Sequence, residues 1–300
     1  MKYGIIDIGS NTIRLNMYLV DENKQITSLT NKKYVAGIAS YVNKGFLTKK
    51  GADKIVGILN KLFLLCDTFG VDKVYPFATA SLRNIKNSEE VLEYVDKQVG
   101  KNIDLVSGNE EANLGYLGIR QDFDLVDGYI LDIGGGSTEI TLVCGGEIHY
   151  SNSLKLGSLS LLESYCKGII PTKSEAKKME KEIKKTLKKF NIPKVKGKPD
   201  VYGIGGTIRA CGNVSMELFD LPTPCELDRS LLDNLYSKII GQKTEALKQV
   251  LQVNPARIHT ITPGMIILIQ ILDYLKVKNL YISDKGAREG YLYKVLNLNI

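Results

Sequence analysis

A chain of 300 residues, 44% hydrophobic and 24% charged, has the composition of an ordinary soluble globular protein and the length for two domains with sizeable cores. Its 40 Lys and Arg against 33 Asp and Glu leave a formal charge of +7, which favours anionic partners such as phosphate chains or nucleotides. Two histidines exclude a His-rich zinc site, the five cysteines form no CxxC pair, and no apolar run approaches the roughly 20 residues that span a bilayer. The chain opens on a strand pattern without the apolar core of a signal peptide, so a reduced, cytoplasmic setting and no membrane partner are expected.

In chain order, residues 3–8 and 13–20 read as strands joined by the tight turn Gly9-Ser10-Asn11-Thr12, and a third strand covers about 25–36. Residues 48–69 carry Ile55, Ile58, Leu59, Leu62 and Leu65 at helical spacing. A strand over 71–77 follows, then a helix from Ser88 with Glu89 and Glu90 in its first turn, then a strand over 103–106. Ser107-Gly108-Asn109-Glu110-Glu111 reads as a cap leading into a helix to about Arg120. At Gly128 the opening pattern starts again: Asp132-Ile133-Gly134 repeats Asp7-Ile8-Gly9, each at a strand's end before a small polar turn and a returning strand. The 125-residue separation of Asp7 and Asp132 is the spacing of a duplicated domain, not of a solenoid. The stretch Lys173–Lys198 alternates pairs such as Lys177-Lys178 and Lys184-Lys185 with apolar residues at helical spacing. It reads as a solvated helix face, with a polyanion track as the second reading. A strand over 200–204, a helix opened by Gly205-Gly206-Thr207, an apolar helix over 263–275, a strand over 279–283 and a last helix from about Lys285 complete the chain. The economical architecture is two related α/β domains with a cleft between them.

Three strands thus end in glycine and hydroxyl turns, DIGSNT, DIGGGST and GIGGT. Glycine lets backbone approach an anion, Ser and Thr add donors, and the third turn also starts a helix, whose N–H groups and dipole favour phosphate. None matches a Walker loop or a Rossmann fingerprint. Asp7 and Asp132 close otherwise apolar strands, and Glu139 returns on the next strand. They are candidate Mg²⁺ ligands, or else turn and cap carboxylates. Glu110 and Glu111 either complement a helix dipole or supply a base for water attack on phosphorus. Arg83 and Arg209 are candidates to grip phosphate oxygens, or ordinary surface arginines. The chain has no paired aromatic and basic strand pattern, so no nucleic-acid partner is expected.

DIGSNT, ATASLR, SGNEEA, DIGGGSTE and GIGGT, in that order, together with DKGAREGYL near the end, resemble the exopolyphosphatase and guanosine pentaphosphate phosphohydrolase family from residue 4 to about 290. The resemblance implies two actin-like domains of the ribonuclease-H-like class, the superfamily of acetate kinase, sugar kinases, heat-shock proteins and actin. Here they would cover 1–124 and 125–300, with a terminal helix over about 286–300 packing back on the first and the active site between them. It implies Asp132, Glu139 and Asp7 as metal carboxylates for Mg²⁺, with Mn²⁺ as a substitute. Glu111 is preferred over Glu110 as catalytic base. Gly9, Ser10, Asn11, Thr12, Arg83, Gly134, Gly135, Gly136, Ser137, Gly205, Gly206, Thr207 and Arg209 are the implied phosphate contacts. The implied substrate is inorganic polyphosphate, in short chains because the family's further helical domain is missing, with guanosine pentaphosphate as the alternative. A superfamily kinase, a non-catalytic polyphosphate or alarmone sensor, and a homodimer are the remaining readings. Two departures stand out: Ala256 and His259 replace acidic residues in the stretch around Arg257, and Ser160 replaces an Arg in LKLGSLSLLE.

Overall fold

The computed structural model describes residues 1–195, 199–241, 244–277 and 279–298. Lys196 and Lys198 of the basic stretch, and the last two residues of the expected terminal helix, lie outside them. The chain divides into two compact units, one of Met1–Leu114 plus the segment from Arg288 onward, the other of Gly115–Ala287.

The first unit contains β1 (Lys2–Ile8), β2 (Thr12–Val20), β3 (Ile26–Val35), the short pair β4 (Val42–Asn43) and β5 (Phe46–Leu47), α1 (Lys49–Thr68), β6 (Lys73–Ala78), α2 (Ala80–Arg83), α3 (Ser88–Val99), β7 (Asp104–Leu105) and the start of α4 (Gly108–Ile119). Its sheet runs β3-β2-β1-β6-β7, antiparallel across the first three and parallel from β1 to β7. Pro76 sits within β6, where an N–H is missing, yet β7 pairs only with Phe77 and Ala78, so the sheet loses no ladder bond on that side at Pro76. The Thr48 side chain caps α1 by accepting from the Gly51 N–H, and Ile55, Leu59, Leu62 and Cys66 bury one stripe against β1 and β2 residues such as Ile6, Ile13 and Leu15.

The second unit contains β8 (Gly128–Ile133), β9 (Thr138–Cys144), β10 (Glu147–Leu154), α5 (Ser158–Tyr165), α6 (Lys173–Phe190), β11 (Val201–Ile204), α7 (Gly205–Phe219), β12 (Glu226–Asp228), α8 (Arg229–Ile240), α9 (Thr244–Val253), α10 (Ile261–Leu275) and β13 (Asn279–Ile282). Its sheet runs β10-β9-β8-β11-β13-β12. The order β10-β9-β8-β11 repeats β3-β2-β1-β6, so the duplication legible in the two Asp-Ile-Gly turns extends to strand pairing. The helix α10 is apolar on every side and accordingly buried along nearly its whole length, packed on α5, α6, α7 and α8. The terminal helix α11 (Ala287–Val295) follows, and from Arg288 it belongs to the first unit.

Candidate active site

In each unit the glycine turn and its companions leave the carboxyl edge of the parallel strands, where open α/β sheets bind ligands. In the first, Asp7 is level with Phe77 and Phe77 with Asp104, so the Gly9–Thr12 turn, α2 and the start of α4 leave one edge. The turn closes with the Gly9 N–H on the Thr12 carbonyl at 3.0 Å, and the Asn11 carbonyl accepts from the N–H groups of Ala36 and Gly37. Asp7 lies opposite Arg14 in the β1–β2 ladder and 3.4 Å from Arg288 Nη1. Burial raises the pKa of its carboxyl group, against the opposing pull of Arg288 and Arg14.

The two glutamates at the start of α4 separate cleanly. Glu110 is held by Lys294 of α11, beside Asp104. Glu111 is only 9% exposed and receives Arg83 Nη1 at 2.8 Å, the same nitrogen donating to the Val106 carbonyl at 2.8 Å. Arg83 therefore orients the Glu111 carboxylate. Replacing Arg83 with Met should destabilise the protein by about 3 kcal/mol, because it leaves a buried carboxylate against an apolar side chain. Urea midpoints of Arg83→Met, Glu111→Gln and the double variant measure that coupling. Additive effects would show the pair to be energetically silent.

In the second unit, Ile204 is level with Asp132, so the Gly134–Ser137 turn and the start of α7 leave one edge together. The turn is supported from beneath by the N-terminus of α5: Ser158 N–H donates to the Gly134 carbonyl at 3.0 Å, and Leu159 N–H to that of Gly135 at 2.9 Å. Gly157 permits this approach, since a Cβ there would stand 2.1 Å from the Gly135 carbonyl oxygen. With the Gly134 and Gly135 carbonyls directed at α5, no hydrogen bond among the described residues takes up the N–H groups of Gly135 and Gly136. They form a small concave donor site.

Asp132 and Glu139 are direct cross-strand partners on β8 and β9, and Ser153 of β10 is the partner of Glu139 on its other side. Glu139 is 5% exposed, and its Oε1 accepts from the hydroxyls of Ser137 and Ser153, both at 2.7 Å. Two carboxylates directly opposed repel, and a hard cation takes one or two protein carboxylates and completes its shell with water and phosphate oxygens. Asp132 and Glu139 fit that donor set. Asp7 faces Arg288, and among the described residues no three His, Cys, Asp or Glu side chains are close enough to hold a metal ion.

Gly205 opens α7 with φ of 87°, and a Cβ there would lie 2.2 Å from Asp132 Oδ1, so only glycine leaves room for that carboxylate. Thr207 is fully buried, and a Cβ at Gly264 would meet its methyl group at 2.1 Å. Its hydroxyl is buried with no hydrogen-bond partner among the described residues. Arg209 Nη1 donates to the Ser283 and Asp284 carbonyls at 3.1 and 3.2 Å, bracing the loop after β13. Ser160 turns its hydroxyl back on Gly157 at 3.0 Å.

Arg257, Arg288 and Ser153 were not assigned from the sequence. Arg257 is 6% exposed, and burial, then the charge of Arg209, pushes its pKa down to about 10 against the favourable field of Asp132. The signal for Arg257 was the charge lost around it at Ala256 and His259; for Ser153 it was the period-two run in Ser151-Asn152-Ser153. His259 has its pKa lowered from an ordinary 6.5 by burial first and by Arg257 second. The unfolded imidazole therefore takes a proton that the folded one resists, and stability falls as pH drops through about 6.5. His259→Asn should lose less melting temperature than the parent between pH 7.5 and 5.5; equal losses would remove His259 from the acid response.

A model of the Ppx/GppA phosphatase family matches residues 6–299. The chain is 25% identical to Exopolyphosphatase 1 of Mycobacterium tuberculosis over 99% of its own length and 89% of that protein. It is 27% identical to the bifunctional 3-dehydroquinate synthase/phosphatase of Fusobacterium nucleatum over 95% of its length and 45% of that protein. Among solved structures, the Aquifex aeolicus member of the Ppx/GppA family superposes with a TM-score of 0.79 at 25% identity, covering 100% of this chain and 99% of that one. An exopolyphosphatase of Cytophaga hutchinsonii superposes with a TM-score of 0.85 at 20% identity, covering 99% and 98%. That likeness concerns the actin-like fold alone.

Proposed function

Because the chain belongs to the Ppx/GppA phosphatase family, we propose that it releases terminal orthophosphate from inorganic polyphosphate, short chains included, by attack of water with Glu111 as general base. The observation that carries the reading is the Gly134–Ser137 turn. Its Gly134 and Gly135 carbonyls are occupied by α5, the Gly135 and Gly136 N–H groups are left as donors among the described residues, and Asp132 and Glu139 flank it. Such a turn suits the equatorial oxygens of a phosphoryl group better than it suits a base or a sugar.

Glu111 takes the proton of the attacking water, whose oxygen forms the new bond to the terminal phosphorus. The terminal anhydride P–O bond breaks, and its oxygen stays with the shortened chain as its new end. Gly135 and Gly136, with the backbone at the start of α7, receive the charge on the departing phosphoryl oxygens. Arg83 keeps Glu111 oriented through Nη1. Mg²⁺, or Mn²⁺ in its place, is assigned to Asp132 and Glu139 and supplies charge neutralisation at the phosphate oxygens when bound.

The test is phosphate release from tripolyphosphate and from guanosine pentaphosphate side by side, with and without Mg²⁺. Mg²⁺-dependent release from tripolyphosphate supports the reading. Release from the nucleotide alone would transfer the assignment to a nucleotide phosphohydrolase, and release from neither would refute hydrolysis.

A further inference from the structure

The chain's positive charge is concentrated in one helix. The helix α6 holds eight lysines against three glutamates, five of the seven net charges of the whole protein. Its apolar face is spent on the core through Ala176, Met179, Ile183 and Leu187. The lysines occupy the outer face, where Lys177, Lys181, Lys184 and Lys188 fall at i, i+4, i+7 and i+11, one stripe roughly 16 Å long at 1.5 Å per residue. They line a shallow groove of about 720 Å³ together with Glu180 and Lys185.

A solvated lysine face ordinarily interleaves with acids at i+3 and i+4, because neighbouring like charges destabilise a helix. Here the acids are outnumbered, and two of the three have partners other than a lysine side chain. Glu175 is bound into the N-terminal cap, accepting from Thr172 N–H at 2.8 Å and Lys167 N–H at 3.1 Å. Glu180 accepts from the Tyr236 hydroxyl at 3.3 Å. Among the described residues, no ion pair joins a lysine of α6 to a carboxylate. The helix α6 also packs on α5, whose N-terminus supports the Gly134–Ser137 turn, so the ridge belongs to the same unit as the candidate phosphate site.

We infer that the α6 lysine ridge is a docking track for the distal part of a long inorganic polyphosphate chain, separate from the groups that hold the reacting end. The inference rests on the proposed polyphosphate reading. A stripe of cations without carboxylate ion pairs among the described residues matches a flexible linear polyanion of uniform charge, whereas no aromatic residue on which nucleic-acid bases would stack is among those lining its groove.

The test neutralises the stripe with Lys177→Gln, Lys181→Gln, Lys184→Gln and Lys188→Gln together, a change that removes like-charge repulsion and so favours the helix. Helicity by circular dichroism checks that the helix persists. Phosphate release is then compared for tripolyphosphate and for polyphosphate of several hundred units across a salt series. The expected result is a KM for the long chain raised roughly tenfold or more with a shallower salt slope, and an unchanged kcat/KM for tripolyphosphate. An unchanged long-chain KM, or equal losses on both substrates, overturns the ridge. If the parent protein releases phosphate from neither, the proposed reaction fails and the ridge is read by equilibrium binding of labelled long-chain polyphosphate. Binding lost in the quadruple variant sustains it, and equal binding overturns it. Single-stranded DNA or anionic phosphatidylserine vesicles bound more tightly than polyphosphate would overturn the assigned occupant.

Discussion

Glu111→Gln is expected to lower phosphate release from polyphosphate by roughly two to four orders of magnitude while leaving substrate affinity nearly unchanged. The substitution keeps the shape of a side chain that is 9% exposed and held by Arg83, and it removes the proton acceptor together with the charge paired to Arg83. Its neighbour supplies the control. Glu110 is engaged by Lys294, and Glu110→Gln should leave turnover within a few-fold of the parent. Single-turnover phosphate release beside equilibrium binding separates the two. Loss of binding with normal turnover in Glu111→Gln would place the base elsewhere, and a larger loss in Glu110→Gln would exchange their roles.

The second large effect is expected at a residue with no side chain. Gly205→Ala places a methyl group where Asp132 Oδ1 now lies, 2.2 Å away, and forces an alanine to φ of 87°. The backbone alone costs about 1–3 kcal/mol. The chemical consequence is larger, because the Asp132 carboxylate, partner of Glu139 across the β8–β9 ladder, must be displaced. Activity should fall about a hundredfold, and the Mg²⁺ concentration for half-maximal activity should rise about tenfold or more. Asp132→Asn should reproduce the metal effect without the loss of stability. A Gly205→Ala protein with normal metal dependence would remove Asp132 from the cation site.

Much of this was legible because local chemistry encoded it. Asp7-Ile8-Gly9 and Asp132-Ile133-Gly134 mark strand ends by an abrupt change from apolar to small polar residues, and Gly205 marks a helix start in the same way. The helix α1 showed its buried stripe in the sequence, and α4 showed Ser107, which accepts from the Glu110 N–H at 3.2 Å. What stayed hidden depends on partners far along the chain. The pairing of Asp7 with Arg288 joins positions 281 residues apart, and no periodicity announces it. Arg83 resembled a phosphate-gripping residue because its chemistry suits that task, yet the carboxylate it meets stands 28 residues downstream. The burial of Thr207 under α10, close-packed through Gly264, likewise depends on a residue 57 positions away. The helix α5 was not assigned from the sequence; tertiary support of the Gly134–Ser137 turn gives that segment its purpose.

The account stands on attack of water at the terminal phosphorus of polyphosphate. Hydrolysis of tripolyphosphate in heavy-oxygen water, with the products read by mass spectrometry, examines that step directly. One heavy oxygen in each released orthophosphate and none in the shortened chain is the predicted result, with the rate collapsing in Glu111→Gln. Heavy oxygen found in the shortened chain instead, or phosphate released at an undiminished rate by Glu111→Gln, would contradict it.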